Sequence, residues 1–192
     1  LDVSHRAEVY WRRNHRPGHH RVGMTWARFN LHIPDLRTGA NRLSADGIQH
    51  SPLLVGLTDE EVGRLLAVAE RRSYADSDIL VEENTPSDCL FILTGGSVQV
   101  ERRHSGGVVP LARLAEAGEF FGEMSLIDIM PRSADIRALG ATEVLAFPKK
   151  SLTTVFTEAP RVQMTLILNI SRILSLRLRE ADERIVELSR QG

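Results

Sequence analysis

The 192-residue chain has a formal net charge of −1, because 24 Lys and Arg side chains are balanced by 25 Asp and Glu side chains. This balance excludes overall charge as a basis for binding nucleic acid or an anionic membrane surface. A hydrophobic content of 42% is sufficient for one packed domain with extensions or two small domains, and the single cysteine excludes an internal disulfide framework and suits a reducing compartment.

Residues 1–50 differ in composition from the rest of the chain. They contain both tryptophans, six of the seven histidines and eight arginines, and neither helical nor strand periodicity persists there. We interpret this segment as an irregular His- and Arg-rich arm or linker with one short helix near Ala7–Arg13. His15, His19 and His20 have a spacing that could ligate a metal, but no cysteine or acidic partner accompanies them, so we predict no metal site.

The first clear helix signal begins at Thr58. This residue is a suitable N-cap, and Glu61 stands at the third helical position, where it completes a capping box. Apolar residues then recur at helical spacing. The pattern predicts a helix over residues 58–70.

From residue 71 to residue 147 the pattern changes to short strand-like runs separated by turn residues. The predicted strands are Ile79–Val81, Cys89–Leu93, Ser97–Arg102, Val108–Leu114, Ala134–Ala138 and Glu143–Phe147. Several short strands at regular spacing favour a sandwich or jelly roll. We therefore expect an α+β fold that is mainly β.

Two helices are predicted after the strands. Lys150–Thr157 indicates a short helix that Pro160 ends, and residues 161–189 indicate one long helix. No apolar run reaches about 18 residues, so no membrane span is predicted. We divide the chain into an arm over 1–50, a β domain with flanking helices over 51–160, and a C-terminal helix over 161–192.

The most informative stretch of the chain is residues 121–135, called the cassette below. It reads Phe-Gly-Glu-Met-Ser-Leu-Ile-Asp-Ile-Met-Pro-Arg-Ser-Ala-Asp and places a Gly-Glu pair ten residues ahead of an Arg-Ser pair. A carboxylate suits a ribose hydroxyl, a guanidinium suits a phosphate, and free backbone N–H groups of a helical turn suit the same anion. The arrangement predicts a site for a small sugar phosphate.

The cassette resembles the phosphate-binding cassette of the cyclic-nucleotide-binding domains, the family of catabolite activator protein, protein kinase A regulatory subunits and cyclic-nucleotide-gated channels. The resemblance extends over about residues 52–189 and implies an eight-stranded antiparallel β-roll with flanking helices and a long C-terminal helix. Ser77 and Asn84 replace two glycines of the family. Asn tolerates positive φ, so the turn at Asn84 is expected to survive, and an alternative turn type is expected at Ser77.

The resemblance implies the following ligand-binding residues: Gly122, Glu123, Met124, Ser125, Arg132, Ser133 and Arg177. Glu123 is expected to accept a hydrogen bond from the ribose 2′-hydroxyl, and Arg132 to pair with an exocyclic phosphate oxygen. Gly122 lets the backbone approach the ligand, and the N–H of Ser125 is expected to be free to point at phosphate.

Two positions bear on which nucleotide binds. Ser133 adds a hydroxyl and an N–H beside the arginine and is compatible with either purine. Ile129 and Met130 make the loop bulkier and more apolar than in relatives that carry glycine there. The ligand is therefore expected to be cAMP or cGMP, with cAMP favoured because the overall pattern is bacterial in character.

The terminal helix carries apolar residues at a spacing of seven, at Ile167, Leu174, Ala181 and Leu188. Either its first turns cover the β domain, or its last turns form a two-stranded coiled coil and thereby a homodimer. Arg177 lies where the family places a side chain that contacts the base. It is either a surface arginine or a group that reaches the purine.

We predict a non-catalytic regulatory module that senses a cyclic nucleotide and controls an attached or partner channel, transporter or enzyme. Direct DNA binding is not predicted, because no recognition-helix pattern is visible. The expected location is the cytoplasm, in a separate protein or as the cytosolic domain of a membrane protein. Two alternatives stay open: a degenerate β-roll that no longer binds nucleotide, and a cupin-type metalloenzyme, for which the β region offers only His104.

Overall fold

The structure is a computed structural model that describes Ile48 and residues 50–190. Almost all of the predicted arm, with its short helix at Ala7–Arg13 and its histidines at positions 15, 19 and 20, lies outside the described residues. The first described element is a single 3₁₀ turn at Pro52–Leu54.

Eight strands and three α-helices follow in the described part of the chain. The strands are β1 Glu70–Tyr74, β2 Ile79–Val81, β3 Cys89–Gly95, β4 Val98–His104, β5 Gly107–Leu114, β6 Phe120–Phe121, β7 Asp135–Ala138 and β8 Thr142–Pro148, and the helices are α1 Asp59–Ala67, α2 Lys149–Glu158 and α3 Pro160–Ser189. A second 3₁₀ turn, Glu123–Leu126, lies between β6 and β7.

The strands form two four-stranded antiparallel sheets, in the orders β1-β8-β3-β6 and β2-β7-β4-β5. Strand β3 shows how alternation builds the core. Phe91 and Leu93 point between the sheets, whereas Leu90 and Ile92 point outward and pack under the helices. The predicted mainly-β fold with an eight-stranded antiparallel roll is confirmed.

The capping box at the start of α1 is present. The Glu61 N–H donates to Thr58 Oγ1 over 3.3 Å, and the Thr58 N–H donates to Glu61 Oε2 over 2.8 Å. The helix ends at Ala67 rather than at residue 70, because Glu70 already belongs to β1, which pairs with β8.

Both non-glycine replacements adopt the left-handed conformation. Ser77 has φ +70° and Asn84 has φ +64°. The prediction for Asn84 is confirmed, whereas Ser77 keeps the left-handed conformation and does not adopt the alternative turn type that would accommodate it. The Ser77 N–H donates to the Ala138 carbonyl over 3.0 Å, and the Asn84 N–H donates to the Arg132 carbonyl over 2.9 Å, so the roll holds both turns.

Helix α3 has two parts with different surroundings. Its first half packs on the roll through Val162, Leu166, Ile170 and Ile173, all buried. The side chain of the buried Asn169 donates to the carbonyls of Leu53 and Val55. Residues 181–190 are all exposed. The first turns of α3 therefore cover the roll, whereas the apolar side chains of its last turns face solvent. No helix in the described part of the chain combines the length and apolar character that a membrane span needs.

Candidate functional site

The cassette lies where the chain crosses from β6 to β7, and Gly122 begins it. Gly122 has φ +77°, and a Cβ there would lie 2.7 Å from the Cys89 carbonyl oxygen and 2.8 Å from Arg132 Nη1. Both distances are shorter than any tolerable Cβ contact, so glycine is required for the backbone to lie this close to the arginine.

Arg132 is fixed from several directions. Its N–H donates to the Thr85 carbonyl over 2.9 Å, so the backbone is tied to the turn that follows β2. Its Nη2 donates to the Cys89 carbonyl over 2.9 Å and to Asp88 Oδ1 over 3.2 Å. Its guanidinium carbon lies 5.9 Å from the ring centroid of Phe91. Only 7% of the residue is exposed.

The other terminal nitrogen of this guanidinium is unsatisfied. Arg132 Nη1 is buried and has no hydrogen-bond partner among the described residues. A buried unpaired polar group costs about 1–3 kcal/mol, and more when it is charged. A persistent orphan donor of this kind is expected where a ligand supplies the acceptor.

Glu123 is the second charged residue of the cassette and is 5% exposed. Its Oε1 accepts a hydrogen bond from Arg177 Nη1 over 2.7 Å, and Arg177 Nη2 donates to the Phe120 carbonyl over 3.0 Å. The sequence left Arg177 as either a surface arginine or a group that reaches the purine, and it did not predict this ion pair. The pair links the cassette to α3.

Ser125 differs from the expectation. Its N–H donates to the Gly122 carbonyl over 3.2 Å as part of the 3₁₀ turn, so that N–H is not free for phosphate. Its hydroxyl is fully buried and has no partner among the described residues. The group that a ligand could use here is therefore the hydroxyl.

The other two predicted residues, Ser133 and Met124, lie on the solvent-exposed side of the cassette. Ser133 is exposed and Met124 is 40% exposed. The loop before Pro131 is apolar and open to solvent, with Ile129 96% and Met130 64% exposed. The structure thus buries Glu123, Ser125 and Arg132, leaves Gly122 half-buried and leaves Ser133 at the surface.

The sequence did not predict an ion pair between the last residue of the cassette, Asp135, which is buried, and Arg103, whose side chain is 55% exposed. Asp135 is 1% exposed, and it accepts hydrogen bonds from the Glu83 N–H over 2.6 Å and from Arg103 Nε over 2.7 Å. Burial opposes the charged form, but these two partners outweigh it and hold the pKa of Asp135 below its ordinary value. The signal for this pair was that Asp135 and Arg137 alternate with the core residue Ile136, which places both charges on the outer face of the sheet.

The cysteine beside the cassette is unreactive in this setting. Cys89 is 3% exposed, and burial, followed by the nearby Asp88 carboxylate, raises the pKa of its thiol. The described residues contain no group of three or more His, Cys, Asp or Glu side chains that could hold a metal ion. Arg132 Nη1, which is buried and has no partner within the described part of the chain, is suited to binding an anion.

Comparisons with known proteins bear on this geometry. A family model described as "Cyclic nucleotide-binding domain" matches residues 71–159. The "Cyclic AMP receptor protein" of Thermus thermophilus is 36% identical over 132 residues, which are 69% of this chain and 59% of that protein. This chain therefore spans less than two thirds of that relative.

Two solved structures are similar over most of the described residues. The N-terminal domain of a transcriptional regulator from Streptomyces coelicolor matches with a TM-score of 0.59 and 31% identity, over 71% of this chain and 92% of that one. A cyclic nucleotide-binding domain from Methylobacillus flagellatus matches with a TM-score of 0.63 and 28% identity, over 68% of this chain and 73% of that one.

Proposed function

The chain belongs to the cyclic nucleotide-binding domain family, and on that premise we propose that it is a non-catalytic sensor that binds cAMP in preference to cGMP at the cassette. The observation that carries this proposal is the orphan donor Arg132 Nη1, buried beside a glycine that admits no side chain. A phosphate oxygen at this position would complete the hydrogen bonding of the guanidinium.

The other cassette residues support the same ligand. Glu123 would accept a hydrogen bond from the ribose 2′-hydroxyl, and the buried Ser125 hydroxyl would donate to a second phosphate oxygen. Gly122 would let the ligand approach the backbone, and Ser133 and Met124 would contact it from the rim. Arg177 would either share Glu123 with the ribose or turn toward the base.

The preference for cAMP rests on the relatives rather than on a contact. The Thermus thermophilus relative is named for cyclic AMP. Ser133, the residue that follows the arginine, is compatible with either purine. Comparing cAMP with cGMP is therefore part of the test.

We also propose how the module acts. The β domain over 51–160 would hold the ligand, and the helix over 161–192 would transmit its presence. Leu178, Ile185 and Leu188 are each more than 60% exposed on the last turns of α3, which supports a homodimer through this helix. The regulated protein would be an attached or partner channel, transporter or enzyme in the cytoplasm, without direct DNA contact.

One observation favours a second candidate, a β-roll that no longer binds nucleotide. The Glu123 carboxylate already has a partner in Arg177, so it is satisfied without a ligand. Isothermal titration of the purified chain with cAMP, cGMP and 5′-AMP separates the two candidates. Binding of a cyclic nucleotide but not of 5′-AMP supports the sensor, and no heat with any of the three supports the second candidate.

A further inference from the structure

The hydrogen bonds of Arg132 limit how an anion can meet it. Each terminal nitrogen of a guanidinium carries two N–H groups. Nη2 already donates to two acceptors, the Cys89 carbonyl and Asp88 Oδ1, whereas Nη1 has none among the described residues. A phosphate therefore meets one nitrogen of the guanidinium instead of the two-nitrogen fork that Arg usually offers.

Asp88 differs from the arginine that it contacts. The Asp88 side chain is 80% exposed, whereas that of Arg132 is 6% exposed, and 3.2 Å separates Oδ1 from Nη2. The carboxylate thus stands on the solvent side of the guanidinium. It lies within one hydrogen bond of the cation that would receive a phosphate.

Three arginines near the cassette are each paired with a carboxylate before any ligand arrives. Arg132 is paired with Asp88, and Arg177 with Glu123. The next cation beside the ring of Phe91 is Arg72, and it is paired with Glu70 over 2.7 Å. Each of these three arginines is therefore already balanced by a carboxylate before a second negative charge arrives.

Resting on the proposed function, we infer that Asp88 makes the site selective for singly charged phosphodiesters and against doubly charged phosphomonoesters. A cyclic phosphate carries one charge and two exocyclic oxygens, which matches the two orphan donors Arg132 Nη1 and Ser125 Oγ. A nucleoside 5′-monophosphate is a dianion above its second pKa of about 6. Its extra charge is repelled by Asp88, and the three arginines near the cassette are each already paired with a carboxylate.

The test separates the charge of the ligand from its ring closure. At pH 7.5, adenosine 5′-phosphorofluoridate carries one negative charge and 5′-AMP carries two, although both are acyclic and similar in shape. Both are measured in competition with cAMP on the wild-type chain and on Asp88→Asn. In the wild type the phosphorofluoridate binds more tightly, and in Asp88→Asn the ratio of the 5′-AMP Kd to the phosphorofluoridate Kd falls about fivefold.

The matched control removes the same charge elsewhere on the same sheet. Glu143 is 54% exposed and pairs with Arg71. It lies on β8 five residues from Pro148, the partner of Cys89, which is about 17 Å along a strand. Glu143→Gln leaves the ratio unchanged.

Each other outcome is decisive. An unchanged or larger ratio in Asp88→Asn, or 5′-AMP that still fails to compete there, overturns the role of Asp88 while cAMP binding stands. An equal fall of the Kd ratio in Glu143→Gln also overturns the role of Asp88, because the ratio then responds to the net charge of the protein and not to this carboxylate. Loss of cAMP binding by the wild type itself refutes the proposed function, and this inference with it.

Discussion

Arg177 on the terminal helix donates to the buried carboxylate of Glu123 in the cassette, with 2.7 Å between Nη1 and Oε1. The guanidinium also donates to the Phe120 carbonyl, so one side chain ties α3 both to the cassette and to β6. A ligand hydroxyl that bound the Glu123 carboxylate would therefore compete with this contact of the helix.

This relationship predicts that Arg177→Ala destabilises the ligand-free chain. The substitution leaves a buried carboxylate unpaired, which costs about 2–3 kcal/mol because Arg177 itself is partly exposed. Urea unfolding measures the loss. Adding Glu123→Gln to Arg177→Ala removes the unpaired charge and recovers part of the lost stability. Equal stability of the single and double variants would count against the ion pair.

Replacing either residue of left-handed conformation, Ser77 or Asn84, by glycine is expected to stabilise the fold. Ser77→Gly and Asn84→Gly each relieve positive φ at a residue with a Cβ. The expected rise in the free energy of unfolding is about 1 kcal/mol for Ser77→Gly and smaller for Asn84→Gly, because Asn tolerates the left-handed region. Ser73→Gly, at an exposed position within β1, is the control and lowers it by about 0.5–1 kcal/mol. Thermal or urea unfolding tests the three variants. Destabilisation by all three would mean that the turns are not strained.

The lowered pKa of Asp135 makes the free energy of unfolding depend on pH. Its pKa is lowered in the folded state, so the stabilisation is complete above the unfolded-state pKa of about 3.9 and is lost as the pH falls through the lowered folded-state pKa. Asp135→Asn costs about 1–2 kcal/mol near pH 7, because the Arg103 side chain that loses its partner is 55% exposed. The difference in the free energy of unfolding between wild type and Asp135→Asn narrows as the pH falls from 5 toward 3. Urea titrations at several pH values measure it, and a constant difference contradicts the account.

The buried hydroxyl of Ser125 predicts opposite effects on stability and binding. Ser125→Ala removes an unsatisfied polar group and stabilises the ligand-free chain by about 1 kcal/mol, while it weakens cAMP binding about fivefold. The hydroxyl of Ser51 is also buried without a partner among the described residues, so Ser51→Ala is the control. It stabilises the chain and leaves the affinity for cAMP unchanged. An unchanged affinity in Ser125→Ala would remove its hydroxyl from the site.

The sequence predicted most of the roll because hydrophobic alternation and turn residues mark its strands. It missed β1, whose residues Glu70–Tyr74 include three charged side chains, and β6, which has two residues. Both strands depend on pairing with β8 or β3 rather than on a local pattern. These two strands are therefore set by pairing with distant strands, which hydrophobic periodicity does not reveal.

The cassette was predictable from its motif, but its hydrogen bonds were not. The spacing from Gly122 to Arg132 identified the residues, whereas the partners of those residues lie far away in the chain. Asp88 is 44 positions from Arg132, and Arg177 is 54 positions from Glu123. Local sequence carries no information on such contacts, and this is why the pairing of Arg177 and the role of Ser125 emerged only from the fold.

The central claim is that Arg132 receives the phosphate, and two arginines provide the most direct test. Arg132 and Arg72 both lie 5.9 Å from the ring centroid of Phe91, but only Arg132 borders Gly122 and has a buried orphan nitrogen. Calorimetric titration with cAMP compares Arg132→Gln with Arg72→Gln, after circular dichroism establishes that both variants are folded. The account predicts at least a hundredfold loss of affinity, about 3 kcal/mol, for Arg132→Gln and less than about threefold for Arg72→Gln. Retained cAMP affinity in a folded Arg132→Gln variant would contradict it.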